Sequence, residues 1–181
     1  MTALATPRLA LAPFAAADAE ALLALFRDPD VRRYLLDDEL VEPAWVEGEI
    51  AASAERFAGG GLGLWLARRD ADAIGFVGFR PFFAPPVEQL LYGLLPACTG
   101  QGFAVEMADA VVAVAFAAWR ETVRASVDAP NAASVRVLER LGFVEVGRAP
   151  GPHGETRHFT VHRGGWRRYD GGHGGLRLPQ R

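Results

Sequence analysis

The sequence predicts a mixed α+β domain, with helices flanking a mostly antiparallel central sheet. Three observations carry that prediction. The chain has 181 residues, 50% hydrophobic and 23% charged, the balance of one globular core rather than of a disordered or fibrous chain. Helical-period segments alternate with short strands along its length. Several of those strands are joined by turns too short to hold a crossover helix, so they pair antiparallel.

Leu9 and Leu11 alternate with small residues and read as a short strand, and Ala16 to Arg27 places Ala19, Leu22, Leu23 and Phe26 on one helical face. Asp28-Pro29-Asp30 reads as the stop of that helix. Pro43 sits near the first turn of a second helix carrying Trp45, Val46, Ile50 and Phe57, which Gly59-Gly60-Gly61 ends. Strands from Leu62 to Arg68 and from Ile74 to Phe82 flank the polar turn Arg69-Asp70-Ala71-Asp72 as a hairpin. Pro81 and Pro85-Pro86 close this meander. Gln89 to Leu95 is a further apolar strand stopped by Pro96, and Ala97 to Ala104 leads directly into a helix ending near Trp119. Thr122 to Val127 is a strand, Asn131 to Leu141 a helix, Phe143 to Val146 a strand released by Gly142, and Thr156 to Val161 its partner. Residues 1–163 are expected to form a single domain, and residues 164–181, with six glycines, a loosely held Gly/Arg-rich C-terminal tail.

Composition narrows the function. The 19 basic residues, all of them Arg, face 22 acidic ones for a net charge of -3, which argues against a nucleic-acid binder. The N-terminal apolar run Leu9 to Ala12 is four residues where a secretion signal needs about 7–15, so it reads as mature sequence. The apolar stretch Ala110 to Trp119 is well short of the roughly 20 residues that span a bilayer, so no membrane partner is expected. One cysteine, Cys98, excludes an internal disulfide and a cysteine-rich zinc site, and the expected compartment is the cytoplasm.

Two motifs carry chemistry. Gly100-x-Gly102 lies at a strand-to-helix junction, where glycines turn backbone N–H groups inward and a helix N-terminus favours an anion such as a pyrophosphate. Glycines that merely make a tight turn explain the same residues. The third glycine of a dinucleotide fingerprint and the Lys of a phosphate-binding P-loop are both missing. Asn131-Ala-Ala-Ser134 opens the later helix, with Asn131 as N-cap, Ser134 three residues on, and Gly142 just past the end.

Together with Thr6-Pro7-Arg8-Leu9, Asp28-Pro29-Asp30-Val31 and Leu90-Leu91-Tyr92-Gly93-Leu94-Leu95-Pro96, the stretches Gly100-Gln101-Gly102-Phe103-Ala104 and Asn131 to Phe143 resemble the GNAT acetyltransferase superfamily, specifically its ribosomal-protein N-acetyltransferase (RimJ/RimL-like) branch. The likeness spans about residues 6 to 163. It implies a central sheet whose strands splay apart at the cofactor site, and acetyl-CoA as donor. The pyrophosphate would lie on the amides of Gly100, Gln101, Gly102, Phe103 and Ala104, and the pantetheine beside Leu94 and Leu95. Asn131 would hydrogen-bond the cofactor arm, with Ser134 near the thioester sulfur. The implied reaction is direct attack of a neutral amine on the thioester, with a backbone N–H near Leu94 or Leu95 stabilising the oxyanion.

Three positions depart from the family pattern. Gln89 stands where many relatives carry Glu, and an amide is no general base; Glu88 is adjacent but on the opposite face of the strand, where base and surface carboxylate are both open readings. Leu138 stands where other branches often carry a Tyr acid, leaving Ser134 as acid or as a structural helix residue. Cys98-Thr99 replaces an aromatic pair, and nothing supplies Cys98 with a base. Among His153, His158 and His162 the last two share a strand face, no third ligand is placed, and no metal is expected; one of them could instead be the base. Trp45 and Trp65 read as core or pocket wall.

A weak base favours an amine that is already partly neutral. An α-amine of pKa about 7.7–8.0 meets that condition, whereas a lysine-type amine near 10.4 costs about 3–4 kcal/mol to deprotonate at cytoplasmic pH. The expected acceptor is therefore a peptide N-terminal α-amine or a small amine metabolite. Asp37 to Glu55 holds seven acids and no base, which reads equally as a solvated helix face and as a surface that would attract a cationic acceptor. The rival function is an acyl-CoA-binding module with little or no turnover, kept as a sensor or regulator. Monomer and homodimer are both open.

Overall fold

The structure is a computed structural model describing residues 3–118 and 120–169. Strands β1 (Leu4–Ala5) and β2 (Ala10–Pro13) are followed by helices α1 (Ala19–Arg27), α2 (Pro29–Leu35) and α3 (Pro43–Ala58). Strands β3 (Leu64–Arg69), β4 (Asp72–Phe82) and β5 (Val87–Leu94) then complete an antiparallel five-stranded sheet in the order β1-β2-β3-β4-β5. Helix α4 (Phe103–Ala117) leads to β6 (Thr122–Asp128), helix α5 (Ala132–Arg140), β7 (Val144–Gly151) and β8 (Gly154–His162); the last three strands form a second antiparallel sheet in the order β6-β8-β7.

Side-chain alternation explains why β3 reads as an unbroken apolar run. Leu64 and Leu66 join Phe14, Phe26, Val46 and Phe76 in the core beneath α1, α2 and α3. Trp65 and Ala67 point the other way, into a core with Val77, Leu90 and the α4 residues Met107 and Val111. A strand buried on both faces needs no polar side. Helix α4 is likewise buried on nearly every side, so its sequence carries no polar stripe.

Four details differ from the sequence reading. Asp28-Pro29-Asp30 ends α1 and also starts α2: Asp28 Oδ1 accepts from the N–H groups of Asp30 and Val31, and Pro29 takes the first helical position, where no N–H is needed. The strand after Gly142 runs on to Gly151, because β8 extends to Gly154 and supplies a partner along that length. Leu4–Ala5 adds a short edge strand. The expectation of a loosely held tail from residue 164 fails for residues 164–169: Trp166 and Tyr169 pack on the α4 core, Trp166 Nε1 donates to the buried Asp109 at 2.9 Å, and the Arg167 N–H donates to the Leu141 carbonyl at 3.0 Å. Glycine content hid two aromatic anchors. Residues 170–181 lie outside the described residues.

Candidate active site at the break between two sheets

Strands β5 and β6 lie beside one another, yet no hydrogen-bonded ladder joins them among the described residues. Their starts share a cavity of about 280 Å³ lined by Glu88, Arg120, Thr122 and Arg124. Their far ends lead one into the glycine loop and the other to Asn131. The sheet is thus splayed where the resemblance expects it to be.

The edge of β5 facing this gap has a free donor. The Leu95 N–H is taken by the Ile74 carbonyl of β4 at 2.9 Å. Backbone N–H groups alternate along a strand, so that of Leu94, paired in register with Gly75, points to the opposite edge, into the break. Of the two amides expected near the thioester, Leu94 is the one left to donate. Across the gap, the Tyr92 hydroxyl donates to the Ser134 carbonyl at 3.1 Å, tying β5 to the first turn of α5. Burial holds the Tyr92 hydroxyl above its usual pKa, so it stays a donor.

The glycine loop ends in two left-handed residues, Gly100 at φ +73° and Gly102 at φ +82°, the latter being the N-cap of α4. Among the described residues no protein acceptor takes the N–H groups of Gly100, Gln101, Gly102, Phe103 or Ala104. A Cβ at Gly100 would meet nothing within 4 Å, whereas one at Gly102 would lie 2.9 Å from the Tyr169 hydroxyl. Free amides at a helix start, with open space over Gly100, fit a pyrophosphate. Cations stand close by: the guanidinium carbons of Arg8 and Arg69 lie 4.4 Å and 5.7 Å from the centre of the Phe103 ring.

The loop is fixed from beneath by a network that sequence reasoning missed. Glu106, with only 3% of its side chain exposed, accepts from the Thr6 hydroxyl at 2.5 Å, from the Arg8 backbone at 2.9 Å and from Arg8 Nε at 2.6 Å. Arg8 Nη1 also donates to the Gln101 carbonyl at 2.9 Å. The signal was present in two places, as Thr6-Pro7-Arg8 near the N-terminus and as a lone Glu in an apolar helix, but nothing in the sequence joins segments about a hundred residues apart.

On α5, Asn131 Oδ1 accepts from the Ser134 N–H at 3.1 Å, which is the N-cap bond, and leaves the Asn131 amide nitrogen as a donor beside the gap. Leu138 is wholly buried. Gln89 is buried on the α1–α3 side of the sheet, in register with Arg80, whereas Glu88 faces the α4 side and pairs with Arg120 at 2.8 Å. Burial raises the Glu88 carboxyl above its ordinary pKa, and Arg120 and Arg56 oppose the shift. Cys98 is buried in a short turn. His158 and His162 hydrogen-bond singly to Ser126 and Thr122 on β6, at 2.9 Å and 3.0 Å, and so do not converge. His153 lies in the turn between β7 and β8, away from both. Trp65 is core; Trp45 packs edge-on against Phe26 with Arg80 over its ring.

Residues 8–144 match the model of the acetyltransferase (GNAT) domain. The chain belongs to the GNAT acetyltransferase family. This acetyltransferase is similar in fold to an acetyltransferase from Agrobacterium tumefaciens, at 24% identity and TM-score 0.76, with 90% of this chain and 95% of that one covered. RimL, a ribosomal L7/L12 α-N-protein acetyltransferase solved in complex with coenzyme A, aligns at 14% identity and TM-score 0.77 over 89% of this chain and 98% of its own. A Salmonella typhimurium acetyltransferase that modifies the N-terminal serine of ribosomal protein L7/L12 aligns at 14% identity and TM-score 0.76, covering 89% and 99%. No curated protein sequence matches significantly. The described part of the acetyltransferase contains no helix long and apolar enough to cross a membrane.

Proposed function

We propose that this acyltransferase is an acetyl-CoA-dependent N-acetyltransferase that moves an acetyl group to a primary amine, either a peptide N-terminal α-amine or a small amine metabolite. The observation that carries the reading is the unpaired edge of β5, with the Leu94 N–H facing a gap that runs from the open amides at the start of α4 to Asn131. Acetyl-CoA would supply an activated acyl group. The amides of Gly100 to Ala104 would hold its pyrophosphate, Leu94 and Leu95 would border its pantetheine, and the Asn131 amide would orient the arm. The Leu94 N–H would stabilise the oxyanion and the Ser134 hydroxyl would sit near the leaving sulfur, both being groups placed before reaction rather than recruited during it. Of the two polar residues at the start of the strand, Gln89 has no basic atom and Glu88 is tied to Arg120, so a base for the amine has to come from elsewhere in the gap. The RimL relatives act on a protein α-amine, which supports an acceptor of that kind. The chain is proposed to work in the cytoplasm, as a monomer or homodimer, without nucleic acid or membrane.

The test is release of free thiol from acetyl-CoA across a panel of α-amines, lysine-type amines and small polyamines. Steady turnover that requires an amine, with α-amines preferred, is the expected result. Preference for lysine side chains overturns the acceptor class. Gln89 in place of the family's Glu and the aliphatic Leu138 favour the second reading, an acyl-CoA-binding module; binding of acetyl-CoA without thiol release for any amine would establish it.

A further inference from the structure

Three segments distant in sequence bring titratable side chains together at the end of the gap. Asp37 comes from the connection between α2 and α3, Asp128 from the last position of β6, and His153 from the turn between β7 and β8; their ligand-capable atoms all lie within 4.8 Å of one another. The group adjoins the candidate cofactor arm. The Asn131 N–H donates to the Asp128 carbonyl at 2.8 Å, and the Ala129 N–H to the Glu155 carbonyl at 2.8 Å, so the β7–β8 turn, the end of β6 and the start of α5 form one unit.

This cluster is not a finished ion pair. His153 Nε2 is shielded from solvent and has no hydrogen-bond partner, and its nearest carboxylate oxygen, on Asp37, is 3.7 Å away, too far for a hydrogen bond. Asp128 is buried and receives one donor, the Thr156 hydroxyl at 2.9 Å. Among the described residues neither aspartate has an Arg partner, although Asp18, Glu42, Glu49, Glu88, Glu106, Glu145 and others each do. A buried acceptor without a donor costs free energy unless a ligand supplies one. A cation with several N–H donors would complete the group.

An acetyltransferase's amine acceptor is an ammonium ion in water, and its spacing can be set beside that of a metal. Three acceptors each about 2.9 Å from one ammonium nitrogen, at the tetrahedral angle, stand roughly 4.7 Å apart. Zinc ligands at about 2.0–2.2 Å would stand roughly 3.4 Å apart. The 4.8 Å limit admits the ammonium spacing, and the 3.7 Å pair lies near the zinc spacing, so zinc is the competing occupant that the experiment must separate. The Tyr34 ring, edge-on to His153 at 5.4 Å between centroids, covers one side.

We propose that Asp37, Asp128 and His153 form the subsite that receives the acceptor amine in its ammonium form, the carboxylates holding the charge and His153 Nε2 taking one proton. This rests on the acetyltransferase reading above. With the imidazole proton on Nδ1, the Nε2 lone pair accepts a proton from R-NH3+, giving R-NH2 and an imidazolium held beside Asp37 and Asp128. The amine lone pair then forms the N–C bond as the C–S bond breaks. The second amine proton goes to the departing thiolate, so the products are the amide, CoA thiol and the imidazolium, which returns its proton to solvent. Any imidazole takes a proton from an α-ammonium (about 7.7–8.0) roughly 250–500 times more readily than from a lysine-type ammonium (about 10.4), so the subsite itself selects α-amines. The groups facing His153 are Asp37, Asp128 and Tyr34.

The experiment uses the full chain with CoA bound, alanyl-alanine amide as the ammonium probe, zinc chloride alone as the metal probe, and the variants D37N and H153Q. The dipeptide amide is expected to shift the His153 ring resonances, and D37N to weaken its binding about tenfold while CoA affinity holds. In turnover, D37N should raise KM with kcat nearly kept. H153Q should lower kcat about 10- to 100-fold near neutral pH and regain much of it at pH 9, where solvent deprotonates the amine. Unshifted His153 resonances, a response to zinc but not to the dipeptide amide, or wild-type kinetics in both variants would each overturn the subsite while leaving the acetyltransferase reading intact. Wild-type protein that binds the probe at His153 but never releases thiol would uphold the subsite and defeat the reading on which it rests.

Discussion

The two ends of the gap between β5 and β6 are made of different material. The glycine-loop end presents backbone: amides at the start of α4, two left-handed glycines, and the Leu94 N–H. The acceptor end presents side chains, with Asp37, Asp128 and His153 contributed by segments that share no ladder register with one another except through β8. A backbone site tolerates many side chains but few backbone changes, and a side-chain site the reverse. The first end suits a donor common to a family; the second lets acceptors change while the scaffold stays.

The largest expected effect lies beneath the backbone end. Glu106 is the buried acceptor for Thr6 and Arg8, and E106A leaves those donors without their partner, a loss of about 2–3 kcal/mol because the Arg8 side chain, 41% exposed, can regain water. For a domain of this size each kcal/mol lowers Tm by about 2–4 °C, so a fall of about 4–12 °C is expected in thermal melts. A fall under about 2 °C would mean that the N-terminal segment and the loop are independent. Next comes Gly102. At φ +82°, with the Tyr169 hydroxyl 2.9 Å from any added Cβ, G102V combines left-handed strain of about 1–2 kcal/mol with a clash, whereas G100A carries the strain alone. CoA affinity measured calorimetrically should fall at least tenfold in G102V and less in G100A. Equal losses would remove the distinction between a shaped loop and a merely glycine-rich one.

This contrast also explains what was legible in the sequence. Glycines at a strand-to-helix junction announce a backbone site locally, and both the loop and the Asn131 cap were found because each is contained in a few consecutive residues. The β3–β4 hairpin was legible for the same reason, because its polar turn is local. Glu106 and the Asp37–Asp128–His153 group were not, because each depends on closure between segments whose spacing in sequence is set by whole elements. Helix α2 was lost for a different reason: Asp-Pro-Asp is equally a stop and an N-cap with Pro at the first helical position, and only the following turn decides between them. Residues 164–169 depart from the loose-tail expectation because Trp166 and Tyr169 find α4 to pack on, a long-range contact that local glycine content does not register.

Between the ends stands Tyr92, whose hydroxyl reaches from β5 to the Ser134 carbonyl. Y92F removes one neutral hydrogen bond, a loss of about 1 kcal/mol. If the bridge sets the width of the gap, KM for acetyl-CoA should rise several-fold while the response to acceptor concentration is unchanged. Parallel rises in both KM values would show that the two ends are mechanically one.

The smallest effect is expected away from both ends, where Glu88 and Arg120 line the cavity at the strand starts. The Glu88 pKa is raised chiefly by burial, so the folded protein holds this proton more tightly than the unfolded chain does. Its contribution to stability is therefore fully present below the unfolded value of about 4.3 and is lost as pH rises through the folded value. E88Q, which cannot ionise, should gain on the wild type over that rise and keep a constant offset above it. With Glu88 30% exposed, screening and the lost Arg120 pair keep the net change at neutral pH under about 1 kcal/mol. The acetyl-transfer rate of E88Q should stay within about twofold, since this carboxylate sits at the starts of β5 and β6 while the Leu94 N–H and the Asp37–Asp128–His153 group stand at their far ends. A hundredfold loss of kcat, with the melt unchanged, would return the proton-accepting role to Glu88 and take it from His153.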